Sequence, residues 1–357
     1  MINNTRVGIE DKLNISSKPI LKKKEDYFSS FTDLTGDELV PSKMFLFNLK
    51  HFIKLLDNDP KLVISRKGIL VREQILKPII DLIGPLFLHA DLEIQNKNEL
   101  KRIIDPKTGT YKKDKGIIIP DEPVIWTPNH RFKDDALGSV LAIKRSAYIL
   151  FGSLPQYFNT IDGILAYLIG ALLLNRKVKE SRIASTNKAI YANSLGADLI
   201  IYPEGVWNKT PNKFFIDFWP GFYKIAKETG AKCIPVIHYI YDPTESENKH
   251  TNKIRTVIDD PIDFNEMHGM SEQACINYYR EVMSTWYYLM MNKYGPSTRE
   301  KVLNGFETSI EAWEDHLNKH VKSTERYDSE IETTAYYKRK DITTLEEVYE
   351  SLANAPL

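Results

Sequence analysis

The residues best equipped for chemistry lie in one short stretch. Asn129-His130-Arg131-Phe132-Lys133-Asp134-Asp135 follows the apolar run VIWTP and precedes a helical pattern. An imidazole titrates near neutrality, which suits proton transfer. His130 and Asp135 are five positions apart. On a continuous helix they would point about 140° apart, at ~100° per residue. They can pair only where the chain turns between them, as at a loop-to-helix junction. Asp134 or Asp135 could equally cap the helix, and a His beside an Asp can be an ordinary surface or capping pair.

Three further blocks carry polar groups at the ends of apolar runs. Residues 199–205, LIIYPEG, read as a buried strand running into a turn, with Glu204 at the strand end. Gly205 would let backbone N–H groups approach a ligand closely. The other reading is a strand-terminating turn with Glu204 in water. Residues 170–176, GALLLNR, end an apolar strand at Arg176, whose fork suits bidentate phosphate contact. A surface arginine beside a carboxylate is the alternative. Residues 233–238, CIPVIH, are a strand containing Pro235, which by itself implies an edge strand or a bulge.

The four blocks follow one another in a fixed order, and there the chain resembles the glycerolipid acyltransferase family, best known from the 1-acylglycerol-3-phosphate acyltransferases. That family carries an NHxxxxD block, a G-apolar-Arg block, a PEG block after an apolar strand, and a later apolar strand with Pro. Their counterparts here are 129–135, 170–176, 202–205 and 234–236. The resemblance spans roughly residues 90–260. It implies His130 as general base, Asp135 as its orienting partner, and Arg176, Glu204, Gly205 and Asn129 around the acceptor, which in this family usually carries a phosphate. The family's PEGTR or PEGSR is here Pro203-Glu204-Gly205-Val206-Trp207. Trp207 replaces a phosphate-gripping cation with a flat apolar face and one N–H donor. Arg131, Lys133, Arg176, Lys209 or Lys213 could supply charge instead.

The elements that must position these groups alternate. Strand candidates are 92–94, 124–127, 147–150, 172–174, 199–202, 233–239 and 255–258. Helix candidates are 134–144, 161–168, 181–194 and 219–228, with Gly196 and Gly230 placed as stops. This alternation predicts an α/β fold, a mixed central sheet flanked by helices, with an N-terminal helix and a helical C-terminal extension. The expected organisation is a polar tail over 1–40, a helical segment over 41–90, a catalytic domain over 91–266 and a helical extension over 267–357. Within 69–88, Ile75, Leu76, Ile79, Ile80, Ile83, Leu86 and Phe87 repeat at helical spacing, with Lys77 and Asp81 on the other face and Pro78 and Pro85 as interruptions. Such a helix either packs on the core or lies in the headgroup plane of a membrane. Residues 105–116 form a polar insertion.

Composition narrows the function classes. Lys plus Arg and Asp plus Glu are 48 each in 357 residues, so the chain lacks the net basic charge of a general nucleic-acid binder. Cys233 and Cys275 form neither a disulfide framework nor a zinc spacing, and no metal is expected. The start of the chain has no continuous apolar h-region, and the most apolar run, 164–174, is too short to span a bilayer. The expectation is therefore a cytoplasmic protein, peripheral on the inner face of the membrane. It would use acyl-CoA or acyl-carrier protein as donor substrate, a lysolipid as acceptor, and no cofactor. The rivals are the same chemistry on a different lipid acceptor, a thioesterase using water, and a non-catalytic lipid-binding protein of the same fold.

Overall fold

A computed structural model describes residues 59–88, 90–94, 121–131, 135–143, 145–152, 162–174, 179–205, 208, 214–215, 217–241 and 252–295. The polar tail over 1–40, the insertion over 105–116 and the end of the helical extension, 296–357, lie outside these residues, as do Arg176, Trp207, Lys133, Lys209 and Lys213.

The apolar runs become strands β1 Ala90–Ile94, β2 Ile125–Pro128, β3 Ala147–Phe151, β4 Ala171–Leu173, β5 Asp198–Ile200, β6 Cys233–Tyr241 and β7 Asn252–Ile258. They form one sheet in the order β1-β7-β6-β2-β5-β3-β4. Pairings are parallel except β6 with β7, which run antiparallel. The mixed sheet expected from the alternation is thus present. Every residue of β2 and β5 is buried. That fits the apolar Ile125, Trp126, Leu199 and Ile200: both faces of a central parallel strand are covered.

Side chains alternate between the two faces with period two. Ile125, Cys233, Ile237 and Tyr239 join one cluster with α5 (Lys179–Ser194), α6 (Gly221–Thr229) and α7 (Glu272–Tyr294). Val124, Trp126, Ile234, Val236 and Ile240 join the other, with α3 (Asp135–Ala142) and α4 (Asp162–Ile169). Gly230 ends α6 in the left-handed conformation, φ 72°, its N–H donating to Ala226 O at 2.8 Å. Ser271 caps α7 by accepting from Ala274 N at 3.2 Å.

Pro235 is not on an edge. It lies in β6, between β2 and β7. The ladder with β7 begins one residue later, at Val236, and Cys233 bridges to Ile262. Pro235 still uses its carbonyl, which accepts from Asp259 N at 3.0 Å. Its missing N–H falls at the gap where the partner chain leaves the ladder, so the proline costs the sheet little.

The N-terminal helical segment also departs from its expected faces. It consists of α1 (Arg66–Val71), a π turn (Arg72–Leu76), α2 (Lys77–Ile83) and a 3-10 turn (Gly84–Leu86). The π turn, in which Lys77 N–H reaches back to Arg72 O, precedes Pro78, which has no N–H for the usual ladder. The turn shifts the helical register and splits the apolar stripe. Ile69 and Ile80 are buried, but Ile75, Ile79, Leu82, Leu86 and Phe87 are exposed. Lys77, expected on the solvent face, is buried along its stem and pairs with Asp81.

Candidate active site

His130 leaves the C-terminal end of β2, where open α/β sheets place their sites. Asp135 opens α3. The turn demanded by the spacing brings them together: His130 Nδ1 and Asp135 Oδ2 are 2.6 Å apart. The same carboxylate oxygen accepts the Arg131 N–H at 2.9 Å. Asp135 therefore holds both the ring and the loop that carries it. The carboxylate is fully buried, whereas the His130 side chain keeps 18% of its surface exposed. Nδ1 is engaged by the carboxylate, which makes Nε2 the nitrogen suited to proton exchange with a ligand.

The PEG turn closes over this loop from β5. Glu204 is buried, and its Oε1 accepts the His130 backbone N–H at 3.0 Å. Gly205 adopts φ 70°, and its N–H donates to Tyr202 O at 3.1 Å. The Asn208 N–H donates to His130 O at 2.7 Å, so both backbone groups of His130 are held from the segment after β5. Asn129 is buried against β6, Nδ2 donating to His238 O at 2.9 Å and Oδ1 accepting from His238 N at 2.6 Å. Arg131 points inward: its guanidinium donates to Phe214 O at 2.6 Å and lies 4.5 Å from the centre of the Tyr287 ring. It is thus committed to the core and is not placed to supply phosphate charge.

Three groups at the site carry no role in the sequence reading. The Tyr202 ring stacks on the His130 ring, centroids 4.3 Å apart at 28°. The Tyr202 hydroxyl meets Ser139 Oγ at 2.9 Å, and Ser139 Oγ meets His238 Nε2 at 2.8 Å. His238 Nδ1 meets Thr256 Oγ1 at 2.7 Å. Burial drives the imidazole of His238 down to about 3, so it is neutral near pH 7. Burial, and secondarily the Asp135 charge, push the Tyr202 phenol well above its ordinary range, against the opposing Ser139 bond. Ser139 was the findable member: it stands four residues after Asp135 on the same face of α3.

Among the described residues no group of three or more His, Cys, Asp or Glu is placed to hold a metal ion. No described helix is long and apolar enough to cross a membrane.

Residues 92–239 match the Acyltransferase family. Over that segment the chain is similar to the acyltransferase family. The acyltransferase segment contains all four sequence blocks, from Asn129 to Val236, and so the family expectation drawn from them is borne out. A solved structure similar to this chain is the 1-acyl-sn-glycerophosphate (LPA) acyltransferase PlsC of Thermotoga maritima. It is 18% identical, with 74% of this chain and 92% of that one covered, at a TM-score of 0.42. No curated protein matches.

Proposed function

We propose that this acyltransferase moves a fatty acyl group from acyl-CoA or acyl-carrier protein to a hydroxyl of a lysophospholipid such as 1-acylglycerol 3-phosphate, in phospholipid biosynthesis. The observation that carries the reading is the 2.6 Å pairing of His130 Nδ1 with Asp135 Oδ2 at the rim of a strand end. His130 Nε2 takes the proton of the acceptor hydroxyl as its oxygen attacks the thioester carbonyl. Asp135 keeps the ring oriented and steadies the imidazolium that forms. Collapse of the tetrahedral intermediate breaks the C–S bond, and His130 returns the proton to the departing thiolate. Direct attack needs no covalent enzyme intermediate and no cofactor. A positioned base of this kind supplies about 10²–10⁴-fold.

The acceptor would be reached at a lipid surface. The exposed stripe of Ile75, Ile79, Leu82, Leu86 and Phe87 suits the headgroup plane, with Arg66 and Lys67 exposed at the start of α1. Behind it a groove of about 230 Å³, lined by Leu76, Ile79, Ile80, Ile83, Leu137 and Leu168, joins α2 to α3. The lining is apolar throughout, which suits an acyl chain. The protein would then be cytoplasmic and peripheral on the inner membrane face.

The acceptor headgroup is open to assay, because Trp207 stands where a cation is usual. Purified protein is incubated with palmitoyl-CoA or palmitoyl-carrier protein and a panel of lysophospholipids plus glycerol 3-phosphate, with lipid products read by mass spectrometry. Acylated phospholipid formed only with a lysolipid supports the reading. Free fatty acid released at the same rate without acceptor would replace it with a thioesterase.

A further inference from the structure

Asp135 holds the His130 ring at one point of its edge, Nδ1, and that contact does not itself set the tilt of the ring about it. A general base must keep its other nitrogen aimed at the acceptor, since angular error costs rate steeply. The face of the ring meets Tyr202, 4.3 Å away and within 28° of parallel. Tyr202 is itself anchored at its far end. Its hydroxyl bonds to Ser139, Ser139 bonds to His238 Nε2, and His238 Nδ1 bonds to Thr256 on the neighbouring strand β7. The same His238 is clamped through its backbone to Asn129, the residue before the base. Three strands and α3 thus converge on the orientation of one ring: β2 runs into Asn129 and His130, β5 into Tyr202, β6 carries His238, and α3 carries Asp135 and Ser139.

We infer that Tyr202 is a positioning residue for the His130 base, and that Ser139 and His238 hold Tyr202 in place through its hydroxyl. The inference rests on His130 being the base. Tyr202 touches no reacting atom. Its ring acts in two ways: it blocks pivoting of the imidazole, and its electron-rich face stabilises the imidazolium that forms as the acceptor proton arrives. Each hydroxyl in the chain has a proton to give and a lone pair to receive one. Ser139 can therefore donate to neutral His238 Nε2 while accepting from Tyr202, and Nδ1–H of His238 can then donate to Thr256.

Four variants test it: Tyr202→Leu, Tyr202→Phe, Ser139→Ala and His130→Gln. The readouts are kcat, KM and the pH profile of transfer from palmitoyl-CoA to 1-acylglycerol 3-phosphate. NMR of the His130 ring protons is a further readout that needs no turnover. Tyr202→Phe keeps the ring but loses the hydroxyl tether, so kcat should fall about threefold, less than in Tyr202→Leu. Tyr202→Leu should lower kcat at least about tenfold with KM little changed, and should move the acid limb of the profile to lower pH, because the imidazolium loses its π face. Ser139→Ala, which removes the same tether from its other end, should match Tyr202→Phe. In the NMR arm, the upfield ring-current shift of the His130 protons should persist in Tyr202→Phe and vanish in Tyr202→Leu. Should the leucine variant fail to fold, trifluorophenylalanine at position 202 is compared with phenylalanine. The two differ in ring electrostatics far more than in size, and the fluorinated ring should move the acid limb down. Unchanged ring-proton shifts in Tyr202→Leu, or superimposable profiles for phenylalanine and its fluorinated analogue, overturn the inference. His130→Gln separates the two levels: transfer that survives it removes the base itself, whereas loss of transfer there beside a normal Tyr202→Leu enzyme removes only the positioning role.

Discussion

Asn129 and His238, 109 positions apart, are joined by a two-point hydrogen bond in which a side-chain amide takes the place of a peptide group. The Asn129 N–H still donates to Val236 O at 3.2 Å, as the ladder between β2 and β6 requires. The side chain then continues the ladder to His238 while the main chain turns away toward the cleft. The last rung of the sheet is thereby satisfied without a strand, and His130 is released from it. Substituting Asn129→Ala strands the N–H and the C=O of a fully buried residue. At ~1–3 kcal/mol for each of the two orphaned groups, the expected loss of stability is about 2–6 kcal/mol. Asn129→Asp keeps the acceptor but turns a carboxylate oxygen onto the buried His238 carbonyl, so at pH 7 it should destabilise at least as much, and less in acid, where a protonated carboxyl can donate again. Urea unfolding of both variants checks this, and an alanine variant as stable as the parent would contradict the two-point account.

Gly170, the first residue of the G-apolar-Arg block, has a packing reason to be glycine. Its φ is 99°, and a Cβ there would lie 3.1 Å from the Tyr148 ring and 3.2 Å from Arg72 Nη1. Arg72 belongs to the π turn; it donates to Leu168 O at 2.6 Å and to Tyr167 O at 2.9 Å, and faces the rings of Tyr148 and Tyr167. It therefore ties the apolar N-terminal helices to the start of β4. Gly170→Ala should destabilise by about 1–3 kcal/mol through left-handed strain and displacement of this guanidinium. Limited proteolysis within 66–86 should rise in that variant; an unchanged cleavage pattern would show that the arginine tolerates the methyl group.

Leu82 and Leu86, 78% and 81% exposed, are the most exposed large apolar residues described. Burying a leucine contributes ~1.5–3 kcal/mol. Leu82→Glu with Leu86→Glu should therefore reduce flotation with anionic liposomes by at least about tenfold, and leave the unfolding midpoint close to that of the parent. Equal flotation of parent and double variant would remove these helices from the membrane contact.

The buried imidazole of His238 makes stability depend on acid. Its ordinary value is 6.5, and burial lowers it to about 3. Between these limits the unfolded chain binds a proton that the folded chain refuses, so stability falls as pH drops and is fully present above about 6.5. Asp198 works the other way: burial raises it from 3.8 to about 6, against the pull of Arg145, the Trp126 N–H and the Val124 N–H. In its window the folded chain keeps a proton that the unfolded chain has released, so a fall in pH favours folding. Near pH 4–6 the two partly cancel, and removing His238 exposes Asp198. His238→Gln should make the slope of unfolding free energy against pH more negative in that window than in the parent. Parallel slopes would show that His238 does not titrate with folding.

Much of this architecture was legible because its causes are local. Continuous apolar runs between turn signals located the strands, and Gly230 located the end of α6. The dyad was legible only as a permission: five positions between His130 and Asp135 allow pairing if the chain turns. Pro235 misled because the rule for proline in a sheet concerns the N–H, and whether a partner strand is opposite that N–H depends on where β7 ends. The faces of α2 were misassigned because one π turn resets a helical register that periodicity assumes unbroken. Tyr202, Ser139 and His238 are 63 and 99 positions apart along their two bonds, a separation that no local pattern encodes.

The most direct measurement is kcat for acyl transfer to a lysophospholipid by His130→Gln, set beside the parent at equal folded concentration. A glutamine fills similar space and can still hydrogen-bond, but it cannot carry the acceptor's proton. The dyad predicts a fall of at least ~10²-fold, with KM for the acyl donor changed little. Transfer within a few-fold of the parent would contradict it.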